Sequence, residues 1–240
     1  MPPPQQETYS LLSLDEEVDE DRTANAQYAP LENMLSATFL VVSLLEGQHM
    51  PVYSYAIQGG FSMQLRGGRQ STRDVDVVTN IKMRGVWEAI RGEERLVIPD
   101  SRLVEGIVKV FVKTGPEYDA CGERHRIEID IKQAGFRRSP RILDGNSVEV
   151  VGPFPLFGKA LHFNILNIAS MMRIKIECCL TREEVRDFED VRFMMTSHGE
   201  QVRAAIERGV INEDELYEVL SHEKMGDEAT RARLSNMVTW

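Results

Sequence analysis

Residues 55 to 78, Tyr-Ala-Ile-Gln-Gly-Gly-Phe-Ser-Met-Gln-Leu-Arg-Gly-Gly-Arg-Gln-Ser-Thr-Arg-Asp-Val-Asp-Val-Val, constrain the fold more than any other stretch of the chain. An apolar run ends at Gly59 and Gly60, a short amphipathic segment and a basic glycine loop follow, and two carboxylates then stand two residues apart in a valine-rich run. That order predicts strand, turn, helix, loop, strand. Side chains alternate along a strand, so Asp74 and Asp76 share a face. Paired carboxylates are hard oxygen ligands of the kind that grip Mg²⁺ (or Mn²⁺) together with substrate phosphates. The glycine pair permits close approach of the backbone, and the helix start beside it offers N–H groups to an anion. Arg66, Arg69 and Arg73 add positive charge between the two motifs.

The cleanest alternation lies at Arg126-Ile-Glu-Ile-Asp-Ile-Lys132, where Ile127, Ile129 and Ile131 point one way and Glu128, Asp130 and Lys132 the other. A solvated sheet face explains such a strand when it stands alone. Ile107 to Lys113 also alternates, Val52 to Ile57 reads as the strand before the glycine pair, and Val148 to Val151 as a further strand. Residues 96 to 104 fit no period. Pro30 to Glu46 reads as a buried helix without Lys or Arg, and Asn80 to Arg91 as a helix with Ile81, Val86, Trp87 and Ile90 inward. Phe136 to Asn146 is a basic loop carrying Arg137, Arg138 and Arg141, which suits either phosphate contact or a plain surface.

Pro153 and Pro155 punctuate the crossing to an all-helical remainder. There Ile165, Ile168, Ala169, Met172, Ile176 and Cys179 form one stripe, and a second helix is expected over about Glu183 to Thr196. Short acidic helices follow at Gln201–Arg208, Glu213–Leu220 and Glu228–Val238. Three units result: an acidic disordered tail over 1–30, an α/β core over 31–155 and a helical domain over 156–240.

Gly59-Gly60 followed, after a helix-sized gap, by Asp74-Val-Asp76 resembles the signature of the nucleotidyltransferase (polymerase-beta-like) superfamily. The wording Gly-Gly-Phe-Ser-Met-Gln-Leu…Gly-Arg-Gln-Ser-Thr-Arg-Asp-Val-Asp is most similar to its minimal AbiEii-type branch. Members often carry Ser or Thr directly after or within the glycine pair; here Phe61 stands in that place and the hydroxyl comes at Ser62. The resemblance implies a third metal-binding carboxylate on a strand beside the first two, with Asp130 the first choice and Glu128 the second.

Lys175 to Asp190 also resembles that branch, and the likeness implies Lys175 on the nucleotide phosphates and Asp187, with Asp190 in reserve, assisting the acceptor. Ordinary intrahelical pairing of Arg186 with Asp190 is the alternative. The resemblance spans about residues 50 to 195. It implies an α+β fold, a mixed sheet flanked by helices and followed by a C-terminal helical bundle. The implied activity is metal-dependent transfer of a nucleoside monophosphate from an NTP to a hydroxyl, with Gly59, Gly60, Ser62, Arg66, Arg69, Arg73 and Lys175 around the substrates. Expected acceptors include a tRNA end, a protein side chain or a small hydroxylated molecule. A fold member acting on aminoacyl-tRNA, or a binding protein that keeps the fold without catalysis, are the alternatives.

Charge bears on that choice. The chain of 240 residues carries a formal net charge of −10. Residues 1 to 30 hold seven acids and one base, whereas residues 58 to 141 hold sixteen bases and twelve acids. The region around the motif is thus locally basic, which leans toward an RNA acceptor, although no aromatic stacking motif accompanies it. No apolar run reaches the length of a membrane span, and the Met-Pro-Pro-Pro start is no secretion signal, so a cytosolic or nuclear address is expected. Cys121, Cys178 and Cys179 read as reduced thiols and His125 and His162 as structural. Nothing in the pattern bears on oligomeric state.

Overall fold

In the computed structural model, the described residues are 6–10, 28–47, 54–68, 71–101 and 105–237. The acids expected in the tail, Asp15 to Asp21, and Arg69 lie outside them, as does the start of the expected first strand.

An eight-stranded mixed sheet forms the centre. Its strands are β1 (Thr8–Tyr9), β2 (Tyr55–Gln58), β3 (Asp74–Thr79), β4 (Leu96–Pro99), β5 (Ile107–Thr114), β6 (His125–Gln133), β7 (Val148–Leu156) and β8 (Lys159–Leu166). In space they run β1-β4-β5-β6-β3-β2-β8-β7. Helices α1 (Leu31–Glu46), α2 (Gly59–Leu65) and α3 (Met83–Ile90) belong to the first part of the chain. Helices α4 (Ile168–Arg182), α5 (Val185–Ser197), α6 (Gly199–Glu207), α7 (Glu213–Ser221) and α8 (Glu228–Asn236) follow the sheet.

The period-two pattern decides which layer each strand residue joins. Ile57, Val75, Val77, Ile127, Ile129 and Ile131 face one side, where they bury together with Met34, Val41 and Leu45 of α1 and Val86 and Ile90 of α3. Ala56, Val78 and Leu166 face the other side and pack with Met171, Met172 and Ile176 of α4 and Phe188 and Val191 of α5. The two cores therefore lie on opposite faces of one sheet. Ile81, Val86, Trp87 and Ile90 are inward as their spacing requires. Helix α3 begins only at Met83, because the Asn80 amide is engaged with both the N–H and the C=O of Leu143.

Three expectations need correction. Residues 6–10 fall within the expected tail, yet Thr8–Tyr9 adds a short parallel strand to β4, with the Tyr9 hydroxyl donating to the Lys109 carbonyl at 2.9 Å. Residues 96–99, without a legible period, are β4, buried throughout. The largest difference is at 148–166. Strand β7 runs through both prolines to Leu156, and Lys159–Leu166 returns antiparallel to it as β8 before any helix starts. Proline is tolerated because β7 is the outermost strand, so its missing N–H removes no ladder bond inside the sheet. Strand β8 sits next to β2, with Ile57 registered on Ile165, and buries Leu161, Phe163 and Ile165 on the α1 side. The helical part thus begins at Ile168 rather than near 156.

Phe163 is 1% exposed, and its ring lies 6.1 Å from that of Phe154, tilted by 38°. Phe163→Ala is expected to cost about 3–5 kcal/mol, measured as a fall in the urea midpoint at unchanged slope. A cost under about 1 kcal/mol would remove β8 from the core.

Candidate active site

The C-terminal helices cover only part of their face of the sheet. Where they stop, a cleft of about 1650 Å³ opens over β3, β6 and β5, walled on the far side by α4 and α5. Parallel pairing sets its floor: Asp74 is registered on Glu128, and Asp76 on Asp130. Antiparallel pairing with β5 then places Lys109 beside Asp130. Four carboxylates that the alternation aligned within their own strands are brought onto one surface by strand order.

The glycine pair shapes the edge of that surface. Gly59 closes β2 with φ +69°, and a Cβ there would lie 2.0 Å from Asp76 Oδ2. Its missing side chain makes room for the Asp76 carboxylate. Gly59 and Gly60 both line the cleft.

Two lysines stand among the acids. The Lys132 ammonium donates to Asp76 Oδ1 and lies 3.5 Å from Asp130 Oδ2. Lys109 donates to Glu128 and lies 3.8 Å from Asp130 Oδ1. That Asp130 oxygen is buried without a hydrogen bond. Burial, and then the Asp76 charge, push the Asp74 carboxyl above its ordinary range, while a 3.2 Å bond from the Thr72 hydroxyl opposes them. Burial likewise raises Asp130, against the pull of Lys132 and Lys109. For Lys132, burial favours the neutral amine, but the charges of Asp76 and Asp130 outweigh it and hold its pKa above the usual value. Among the described residues, no three His, Cys, Asp or Glu side chains already converge as a metal cluster.

The opposite wall carries the second motif. Lys175 is 4% exposed and its ammonium pairs with Asp187 and Asp190, each at 2.7 Å. Arg182 adds bonds of 2.7 and 3.0 Å to the two oxygens of Asp187. Burial alone would raise the Asp187 carboxyl; the Arg182 and Lys175 contacts outweigh it and hold it below the usual range. This buried cluster ties α4 to α5. Arg186 donates to the Tyr28 hydroxyl, and Arg186 and Arg73 each place a guanidinium 5.7 Å from the Tyr28 ring centroid.

Two expected substrate ligands turn away. Ser62 is fully buried and donates to the Gly59 carbonyl at 2.9 Å, with Met171 Sδ at 3.6 Å, because the helical turn after the glycines rotates it into the core. Arg66 lies at the far end of α2, 3% exposed, bonded to Glu149 and to the Leu166 carbonyl at 2.6 Å. Neither lines the cleft. Gly59, Gly60, Arg73, Asp74, Asp76, Glu128, Asp130, Lys175 and Asp187 do. Lys132, Thr72 and Arg182 are cleft residues to which no role was read from sequence. Lys132 alone had a legible signal, its place on the Glu128–Asp130 side of the alternation.

No protein-family profile and no curated protein matches the chain. Among solved structures it is similar to JHP933 from Helicobacter pylori, at 14% identity and TM-score 0.46, covering 88% of this chain and 92% of that one. It is also similar to ANT(2")-Ia in complex with adenylyl-2"-tobramycin, at 13% identity and TM-score 0.47, covering 86% and 99%. TM1012 from Thermotoga maritima matches at 13% identity and TM-score 0.34, covering 72% and 99%. Likeness at this distance leaves the chemistry to be read from this chain's own side chains.

Lys175→Met would leave two carboxylates buried without their ammonium, and a loss of about 3–5 kcal/mol in folding stability is expected by chemical denaturation. The pH dependence has a definite sign. Asp187 has a folded pKa below its unfolded value of about 3.9, so its contribution is complete above that value and is lost as pH falls through the folded pKa. Asp187→Asn should therefore flatten the acid limb of a stability–pH curve while lowering stability at pH 7.

Proposed function

We propose that this chain is a nucleotidyltransferase that moves a nucleoside monophosphate from an NTP to a hydroxyl acceptor and releases pyrophosphate. The observation that carries this reading is the parallel register of Asp76 with Asp130, beside the Gly59 bend that Asp76 fills. It places acids from two strands at one end of a cleft large enough for a nucleotide and a second molecule.

In the reaction, the acceptor oxygen bonds to the α-phosphorus as the bridge to the β-phosphate breaks, and pyrophosphate leaves with the bonding electron pair. The displaced hydroxyl proton needs a base. Asp130, which lines the cleft beside Asp76, is the carboxylate assigned to take it. Arg73, at the cleft edge on the loop before β3, supplies positive charge for the phosphates. Lys175, already held by Asp187 and Asp190, is assigned to fixing the wall rather than to gripping phosphate.

The residues fit a divalent cation. Their donors are carboxylate oxygens, one of them is orphaned, and a cationic group is accepted between Asp76 and Asp130. Asp74, Asp76 and Asp130 would hold the ion, with Glu128 next in register. When bound, Mg²⁺ or Mn²⁺ supplies neutralisation of the triphosphate and a lower pKa for the acceptor hydroxyl.

Acidic and basic side chains line the cleft in almost equal number. The cations at its far end already have partners: Lys113 and Arg126 pair with Glu7, and Arg124 with Glu117. This balance favours a compact hydroxylated acceptor over a long polyanion such as a tRNA end. Incubation with α-phosphate-labelled NTPs and Mg²⁺, against a small-metabolite fraction, total tRNA and protein, is expected to label the first. Asp74→Asn and Asp76→Asn should each reduce transfer about a thousandfold or more, with the fold retained by circular dichroism. Transfer that persists in both would place the chemistry elsewhere, and the absence of any transfer by the native chain would favour a binding protein.

A further inference from the structure

Phosphoryl-transfer sites commonly use two divalent cations, and this cleft contains a fixed positive charge, Lys132, that such chemistry does not use. Lys132 follows Asp130 by two residues on the same strand, so the pleat compels it onto the carboxylate face. Asp130 is registered on Asp76, and Lys132 on Val78 one step further along. The lysine stem therefore reaches diagonally back over the pair, and its ammonium closes on Asp76 Oδ1 with Asp130 Oδ2 3.5 Å away. Its side chain is only 12% exposed, so it is built into the floor of the cleft and is no solvated surface group.

We propose that Lys132 permanently takes the place of one of the two divalent cations expected at such a site, so that the loaded protein binds a single divalent ion. This rests on the nucleotidyltransferase reading and sharpens it. Charge supports the count: Asp74, Asp76, Glu128 and Asp130 against Lys109 and Lys132 leave two negative charges when all six are ionised, which one divalent ion neutralises. Oxygens remain for that ion as well. Lys132 uses one oxygen of Asp76 and approaches one of Asp130, leaving Asp74, Asp76 Oδ2 and the orphaned Asp130 Oδ1. An ammonium delivers one charge and hydrogen bonds without demanding octahedral geometry, so it can bridge the Asp76 and Asp130 carboxylates through one oxygen of each.

The test is a count of Mn²⁺ per full-length chain from the free-Mn²⁺ electron paramagnetic resonance signal. It is made with Mn²⁺ alone and again with saturating α,β-methylene analogues of each NTP. The expected result is one ion for the native chain, one for Lys132→Arg and two for Lys132→Ala. Two ions on the native chain would overturn the proposal and leave the nucleotidyltransferase reading standing. One ion on a folded Lys132→Ala would also overturn it, since the lysine would then be occupying no cation's place. No ion on either, with or without the analogue, would overturn both. Should Lys132→Ala fail to fold, the native count of one or two decides alone.

Discussion

Crowding of four carboxylates onto one face of two adjacent strands is the constraint around which the rest of this molecule is arranged. Like charges about 4 Å apart repel by about 1 kcal/mol in water and several times that in a partly buried site. The chain offsets this with ammonium groups from the same sheet, Lys132 from the end of β6 and Lys109 from β5. Burial first, and the Asp76 charge after it, still hold the Asp74 and Asp130 carboxyls above their ordinary range. A face left with surplus negative charge in a cleft is one prepared to receive a cation.

That face stays accessible because the two sides of the sheet are closed differently. Helices α1 and α3 cover one side with a continuous apolar layer, in which Ile127, Ile129 and Ile131 are all buried. On the other side α4 and α5 cover β2, β8 and the end of β3, then diverge from β6 and β5. Their position is set by apolar packing and by the Lys175–Asp187–Asp190–Arg182 cluster, whose partners lie on both helices. A buried cluster of this kind adds little net stability over an apolar one, yet it penalises any other docking of the two helices by stranding a charge. The wall opposite the carboxylate face is thereby held in one place.

Gly59 joins these two themes. Its positive φ lets the chain leave β2 sharply into α2, and its bare Cα leaves space for Asp76. The same turn carries Ser62 inward, where its hydroxyl returns to the Gly59 carbonyl. Phe61, directly after the glycine pair, is fully buried in the core shared with α1 and does not line the cleft.

Much of this was legible from local pattern. Alternation put Asp74 with Asp76, and Glu128 with Asp130 and Lys132, on single faces, and helical spacing placed Ile81, Val86, Trp87 and Ile90 inward. Both are short-range consequences of backbone geometry and need no partner strand. Strand β8 was hidden because Pro153 and Pro155 read as a break, and only its neighbour's position at the sheet edge makes them harmless. Arg66 shared a basic loop with Arg73, yet one meets Glu149 and the other Tyr28, a division that depends on where α2 docks. The sequence alone determined which side chains travel together on each strand and helix. The tertiary structure decided which of those groups meet, because the pairing of β3 with β6 joins segments about fifty residues apart, and no local period reports a contact made across that distance.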